Sequence, residues 1–443
     1  MSRRASGLIV ALGTLLGGCA HETAADRAPR PDPVARLAPV GDAPWREDLG
    51  DPVLHELLRR ADLGALDIKV ALARLERAQA EADIAAAGRQ PQAVLGAAGA
   101  VGARNFSSQR SAGGPTFEAT YELDLSGRLA RLAQAAVSER QAAADEVAGA
   151  RLLVAAETAQ AYVALCAAKD TAAAGARRQA SAERALALGR ARQAEGAATA
   201  QDVEVYAAAT QAAAANEQTA RVSAALAAIR LRILVGGGEL PAPLNCALPD
   251  RAPSIDPLPA SLVDRRPEVA AAFARLRAAD LRRAAAVAAE RPQFQITAVL
   301  GAPDAAIATL LDTRGLAWAL AGRIAETVFD GGAGRGRIRS ATAEADLADL
   351  AYRKAVLQGW SELQTATLEA HAAADRLTTA RQEVRRAEAA IDTVRVRHLE
   401  GAADGLAVAA AEGRIEDARN ALSQARAGAA NARIQMSLAG GGQ

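Results

Sequence analysis

The sequence predicts an α+β membrane protein built from two copies of one half-molecule, and three observations carry that prediction. Glycine-punctuated patterns recur in the same order about 205 residues apart, far longer than the roughly 20 to 50 residues of a solenoid unit. Two segments in each half switch to the alternating apolar and polar pattern, and the length, of a tilted membrane strand. After each such pair comes an alanine-rich helical stretch of roughly 65 residues, about 100 Å if fully helical.

The repeat is explicit. Arg89-Gln90-Pro91-Gln92 returns as Glu290-Arg291-Pro292-Gln293, and Asp124-Leu125-Ser126-Gly127-Arg128 as Asp330-Gly331-Gly332-Ala333-Gly334-Arg335. Arg192-Gln193-Ala194-Glu195-Gly196 returns as Arg397-His398-Leu399-Glu400-Gly401, and Leu234-Val235-Gly236-Gly237-Gly238 as Leu438-Ala439-Gly440-Gly441-Gly442. Each half is thus read as helix, hairpin, long helix, turn and second long helix: 51–240 with a β-hairpin at 92–125, then 263–443 with a β-hairpin at 293–329, joined by a linker at 241–262.

Residues 1–18 have the layout of an export signal: Arg3 and Arg4, the apolar run Leu8 to Leu16, then Leu16-Gly17-Gly18-Cys19. The run is too short to span as a mature helix. A cysteine after small residues resembles a bacterial lipobox, in which Cys19 is acylated and becomes the mature N-terminus; Ala20 behind it favours sorting to the outer membrane. Residues 19–50, rich in proline and charge, read as a lipidated tether.

Asp51 and Pro52 are placed to cap and start a first helix running to about Gly88, with Leu54, Leu57, Leu58, Ala61, Ala65, Ile68, Leu72 and Leu75 at helical spacing. After Pro91 the small apolar stretch Ala93 to Ala103 leads to a turn cluster (Asn105, Ser107, Ser108, Ser111, Gly113, Gly114). Then Phe117, Ala119, Tyr121 and Leu123 alternate with Thr116, Glu118, Thr120 and Glu122. In the second half Phe294, Ile296, Ala298 and Leu300 alternate with Gln295 and Thr297. Leu316, Trp318, Leu320, Gly322 and Ile324 share a face opposite Arg323. Alternation of this kind suits a lipid-facing wall with a wet interior, which makes Glu118, Glu122 and Arg323 candidate lumen residues. Four strands do not close a barrel, and open edges are not tolerated in lipid, so the chain must oligomerise. Two copies give eight strands and three give twelve; the strand count does not choose.

Composition narrows the partners. A net charge of +1 gives no bulk attraction to nucleic acid, and an aromatic content of 3% points away from one large globular core and towards long helices packed by small residues. Beyond the signal there is no uninterrupted run of 18 apolar residues. Cys166 and Cys246, 80 residues apart, read first as two partly buried thiols; an exported chain could oxidise them, but spacing gives no reason to pair them. The scattered histidines make no metal-ligand spacing. No cofactor is expected apart from the lipid on Cys19. Asp264-Arg265-Arg266-Pro267 reads as a helix start, with Asp264 near its cap. Gly332-Ala333-Gly334-Arg335-Gly336 lies between a strand and a helix as a dinucleotide loop would. It spells GxGxG rather than GxGxxG and no βαβ unit follows, so nucleotide binding is set aside, and no other catalytic motif is visible.

Local motifs then resemble one family. Tyr121-Glu122-Leu123-Asp124-Leu125-Ser126-Gly127-Arg128 resembles the "ELDLFGR" segment of the TolC-like outer-membrane efflux family, lipoprotein branch. Leu258-Pro259 with Asp264-Arg265-Arg266-Pro267-Glu268-Val269 resembles its "LP…RRPDI" stretch, and Val328-Phe329-Asp330-Gly331-Gly332 its "FDGG". The resemblance implies a homotrimer whose twelve-stranded outer-membrane β-barrel continues into a long periplasmic α-helical barrel. It implies an exit duct that passively conducts substrates received from an inner-membrane pump through a periplasmic adaptor, with no enzymatic step. Departures are Ser126 in place of a bulky residue, few Trp and Tyr in the strands, and Gly405 after Asp404.

A duct needs a wet lumen, a closable end and a docking surface. The closable end falls at the two helix-to-helix turns. Asp404, Asp202 and Glu400 are the candidates for an acidic periplasmic aperture, with helix capping the competing role for Asp404 and a solvated helix end that for Glu400. By resemblance, Arg192, Gly196, Arg397 and Gly401 are candidate adaptor-docking tips. The competing reading is a periplasmic adaptor or helical scaffold lipoprotein, which also has long hairpins but lacks paired membrane-length strands at this repeat. An envelope enzyme is disfavoured because no catalytic constellation is seen.

Overall fold

The computed structural model describes residues 51–442 apart from 104–108, 242–245, 247, 254–258 and 302–316. The export signal, Cys19, the tether and Leu316 lie outside the described residues. In chain order the elements are α1 (Pro52–Gly64), α2 (Leu66–Ala87), β1 (Gln92–Ala103), β2 (Gln109–Leu123), α3 (Arg128–Ala194) and α4 (Ala200–Leu234). A 3-10 turn (Ala260–Arg265) then leads into α5 (Pro267–Ala288), β3 (Gln293–Gly301), β4 (Ala317–Ala325), α6 (Ala333–Leu399) and α7 (Gly405–Ala439). The duplication is exact in helix length: α3 and α6 each have 67 residues, and α4 and α7 each have 35.

The chain divides into two compact units, and neither unit is one of the repeats. Among the described residues, the first takes Glu76–Arg140 from one repeat and Ala274–Asp349 from the other; the second takes 51–75, Gln141–Phe273 and 350–442.

The first unit holds a four-stranded antiparallel sheet in the order β1-β2-β3-β4, in which the two hairpins join through β2 and β3. The register aligns Gln92 with Thr120, Thr120 with Thr297, and Thr297 with Ala321. Directly paired residues share a face, so Glu118, Thr120 and Glu122 lie on one face with Thr297, Gln295 and Arg323. Phe117, Tyr121, Ile296, Leu300, Trp318, Leu320 and Ile324 take the other face. There Trp318 is 78% exposed and Leu320 66%, so nothing among the described residues covers it. β2 starts earlier than its composition suggests: Ser111, Gly113 and Gly114, expected in the turn, pair with Val101, Gly99 and Ala98. A ladder is made by backbone groups, so glycine and serine do not stop it.

The second unit is helical. Its main core joins Leu54, Leu57 and Ile68 of α1 and α2 to Tyr162, Val163 and Leu165 of α3, Leu231 of α4 and Ile434 of α7. Each of these leucines contributes roughly 1.5–3 kcal/mol by burial. Asp51 caps α1 by accepting from the Val53 N–H at 2.8 Å, with Pro52 opening the helix, as the sequence indicates. The helix expected to run to Gly88 instead breaks at Ala65, whose extended φ/ψ is −61°, 131°. The break falls where Gly64 lies against the Val235–Gly236 backbone; a Cβ there would sit 2.5 Å from the Val235 carbonyl oxygen.

Three further expectations are corrected. Cys166 and Cys246 form a disulfide across a Cα–Cα distance of 5.5 Å, because the linker after α4 folds back onto the buried face of α3. Asp264 lies inside the 3-10 turn rather than capping α5. The buried residue of that motif is Arg266, 5% exposed, which donates to the Gly359 carbonyl at 3.2 Å and pairs with Glu268 and Glu362. Finally, α3 does contain one 18-residue window apolar enough to cross a membrane by length and composition; 61% of it is buried within the chain.

Candidate functional site

The closable end is built by two helix-to-helix turns with one backbone solution. Gly196 and Gly401 both take φ of +73°, the left-handed conformation that ends a helix without steric cost. In the first turn the Gly196 N–H donates to the Gln193 carbonyl at 3.0 Å and the Ala197 N–H to the Arg192 carbonyl at 2.8 Å. In the second, Gly401 donates to His398 at 3.0 Å and Ala402 to Arg397 at 2.7 Å. Glu400, Arg397 and both glycines are exposed, while Arg192 is half-buried.

The helices that leave these turns are capped differently, and this separates the two aspartates. Thr199, not Asp202, caps α4: its side chain accepts from the Asp202 N–H at 3.2 Å, while the Asp202 carboxylate accepts from the Thr199 N–H at 2.9 Å and its hydroxyl at 2.7 Å. This reciprocal box satisfies two orphan helix donors and holds the Asp202 carboxyl below the usual carboxylate range. By the repeat spacing, the counterpart of Thr199 is Asp404. Asp404 caps α7 through the Ala407 N–H at 2.7 Å, and its second oxygen takes the Arg192 guanidinium at 2.7 Å. The Ala407 N–H, followed by Arg192, lowers the Asp404 pKa. Asp202 is therefore turned into its own helix start, whereas Asp404 links the two hairpins.

That link is the outermost rung of a ladder between antiparallel α3 and α7. Inward from it, Arg184 pairs with Glu412, Arg177 with Glu416 at 2.6 Å, and Thr171 donates to Asn420 at 2.8 Å. The buried Ser181 hydroxyl donates to the Ala409 carbonyl at 2.7 Å. In each ion pair of this ladder the cation sits on the first repeat and the acid on the second, while further in Asp170 of α3 accepts from the Ser423 hydroxyl of α7 at 2.9 Å. The acid side chains become less exposed away from the tip: 43% for Asp404, 25% for Glu412 and 8% for Glu416. Glycines let the helices close up, with the Tyr206 ring over Gly189 and the Arg178 guanidinium over Gly413. The opposed charges of α3 and α7 escaped the sequence reading, because nothing local marks two segments more than 200 residues apart as neighbours.

At the strand–helix joints, Asp124 accepts from the Leu129 and Ala130 N–H groups at 3.1 and 2.7 Å, and Asp330 accepts from Gly332 at 2.9 Å and from Gly334. In the glycine loop these two N–H donors, the kind an anionic ligand would use, are taken by Asp330. Among the three lumen candidates, Glu122 pairs with Arg128 at 2.8 Å and Arg323 lies in register with Gln295, opposite Glu122 in the sheet. Among the described residues no cluster of His, Cys, Asp and Glu could hold a metal ion.

Comparison with known proteins matches this geometry. The chain is 29% identical over 346 residues to the outer membrane protein OprJ of Pseudomonas aeruginosa, covering 74% of this chain and 71% of that protein. It is 28% identical over 398 residues to the toluene efflux pump outer membrane protein TtgF of Pseudomonas putida, covering 80% of each. The crystal structure of the outer membrane protein VceC from Vibrio cholerae superposes with a TM-score of 0.78 at 25% identity, over 90% of this chain and 98% of that one. The family model described as outer membrane efflux protein matches twice, at residues 57–237 and 258–442, once per repeat, and the chain belongs to that family.

Proposed function

We propose that the protein is the outer-membrane exit duct of a tripartite efflux or export system and works as a homotrimer. Three copies of the sheet supply twelve strands that close a barrel in the outer membrane, and the paired hairpins form the periplasmic α-barrel. The observation that carries this reading is the two-faced, open-edged sheet. Its apolar face is exposed, its other face bears Glu118, Glu122 and Arg323, and β1 and β4 each leave an edge that lipid does not tolerate. Helix surfaces support assembly as well: Val222, Leu226, Ile229 and Ile233 form an exposed apolar stripe along α4, and Leu357, Trp360 and Leu368 are exposed on α6.

Conduction is passive, and energy comes from an inner-membrane pump. The tips supply the aperture, with Asp404 held in the Arg192 link and Glu400 and Asp202 adding negative charge around it. The exposed Arg397, whose guanidinium has no acidic partner among the described residues, together with Arg192, Gly196 and Gly401 offers the surface for a periplasmic adaptor. Acylation of Cys19 anchors the mature chain to the outer membrane. Labelled palmitate should enter the wild type and be absent from Cys19→Ala.

Planar-bilayer recording of the purified trimer is the test. A cation-preferring pore of small conductance, enlarged in Arg192→Gln and with weakened cation preference in Asp404→Ala, is expected. A monomer without pore activity or outer-membrane partition would refute the duct and leave a periplasmic scaffold.

A further inference from the structure

The register of the sheet brings all four strand–helix connections to one end. Gln92 opens β1 opposite Thr120 near the end of β2, and Gln293 opens β3 opposite Ala325 at the end of β4. At that rim Arg89, Arg291, Arg335 and Arg339 are all exposed, and none of their guanidinium groups has an ion-pair or hydrogen-bond partner among the described residues. Beside them stand apolar side chains that touch almost nothing: Val328 is 94% exposed, Phe329 89% and Leu125 68%. The acids of the rim do not answer these arginines. Glu122 is taken by Arg128, Asp124 by the start of α3, and Asp330 by the start of α6 and Arg337. Glu290 packs against Gly334, and Glu326 is exposed.

We propose that this rim is a docking surface for anionic phospholipid headgroups of the periplasmic leaflet. Phe329, Val328 and Leu125 enter the acyl boundary, and Arg335, Arg339, Arg89 and Arg291 take the phosphates. The proposal rests on the reading of the sheet as a membrane wall. If the strands cross hydrocarbon and the helices do not, the rim lies at the headgroup level. There unpaired arginines and fully exposed apolar groups are complementary to one kind of molecule, a phosphate ester carrying hydrocarbon chains. The strands are poor in the Trp and Tyr that usually anchor a barrel at this level, and the rim supplies anchors of a different chemistry.

The test uses the full-length protein in detergent, titrated with dioleoyl-phosphatidylglycerol or dioleoyl-phosphatidylcholine and read by native mass spectrometry. Wild type should retain phosphatidylglycerol preferentially. Replacing the four arginines by glutamine should cut that retention by about tenfold or more, and replacing them by lysine should preserve it. Phe329→Ser should weaken retention of both lipids. Equal retention of the two lipids by wild type, or unchanged retention in the glutamine variant, would overturn the proposal. Displacement by millimolar inorganic phosphate would place a soluble anion there instead, and collapse of the glutamine variant to monomer would mean that a second copy covers the rim. Outer-membrane fractionation of the same variants separates the two readings: variants that still insert as trimers but lose lipid preference test the rim alone, and loss of insertion by wild type would remove the membrane wall beneath it.

Discussion

Asp404 performs two tasks whose energies separate by substitution. Its first oxygen caps α7 through the Ala407 N–H, and its second holds Arg192. Loss of an aspartate cap to alanine costs about 1 kcal/mol, whereas asparagine caps as well as aspartate. The ion pair is exposed, 39% on the arginine side and 43% on the acid side, so it contributes about 0.2–1 kcal/mol. Asp404→Asn should therefore lose only the pair and open the first turn of α7 at most about fivefold more often. Asp404→Ala should lose both, for about 1–2 kcal/mol and a factor of about 5 to 30. Hydrogen exchange of the Ala407 amide and its neighbours reads this local opening directly. Arg192→Gln should match Asp404→Asn, and the double variant should add nothing to either. The pKa of Asp404 is lowered on folding, so its stabilisation is present above the ordinary carboxylate range and is lost as pH falls through the depressed value. Protection at pH 7 should accordingly exceed that near pH 3 in wild type, and much less so in Asp404→Ala. Equal effects of Asn and Ala would refute the capping account, and an Arg192→Gln effect larger than Asp404→Ala would refute the energetic ranking.

Three further outcomes follow from the helical unit. Replacing Cys166 and Cys246 by alanine should destabilise it by about 4 kcal/mol, because the bridge closes a segment of 80 residues. Denaturation with and without reductant checks this, and two titratable thiols in the unreduced mature protein would contradict the bridge. Arg266→Met should cost about 2 kcal/mol, less than a fully buried pair, since Glu268 and Glu362 are about half exposed and can return to water. Glu416→Gln should destabilise the α3–α7 contact more than Glu412→Gln, by about 1 kcal/mol or more, because Glu416 is far less exposed and also takes Arg419 at 2.9 Å; equal effects in thermal melts would show that burial does not grade the ladder.

What was legible in the sequence was local chemistry. Asp51-Pro52 announced a helix start, alternation through Thr116–Leu123 announced a two-faced strand, and Gly196 and Gly401 announced left-handed helix ends. These signals live within a few residues, where side chains meet their own backbone. What was illegible depended on contacts distant in sequence. The break at Ala65 is imposed by the end of α4, the Cys166–Cys246 bridge by the fold-back of the linker, and the Arg177–Glu416 rung by the pairing of helices from different repeats. Asp202 illustrates the boundary. Its distance from Gly196 suggested a partner for Asp404, yet the local competition for the α4 cap was won by Thr199, which holds the exposed Asp202 on its own helix start.

That competition has a consequence for how a duplicated chain acquires an asymmetric end. The two repeats share helix lengths, turn glycines and turn hydrogen bonds, so duplication alone would give two equivalent tips. Among the positions at which the turns differ, the helix cap is the one that bears on the link: Thr199 with Asp202 in the first copy, and Asp404 with Ala407 in the second. A threonine cap spends its oxygen on its own helix, whereas a carboxylate has a second oxygen left for a neighbour. The second copy therefore reaches across to Arg192, whereas the guanidinium of Arg397, the repeat counterpart of Arg192, is exposed and has no acidic partner among the described residues. The different caps thus go with a bound arginine on one tip and an exposed arginine on the other. The asymmetry gives each chain one internal link at the closable end and one exposed cation beside it.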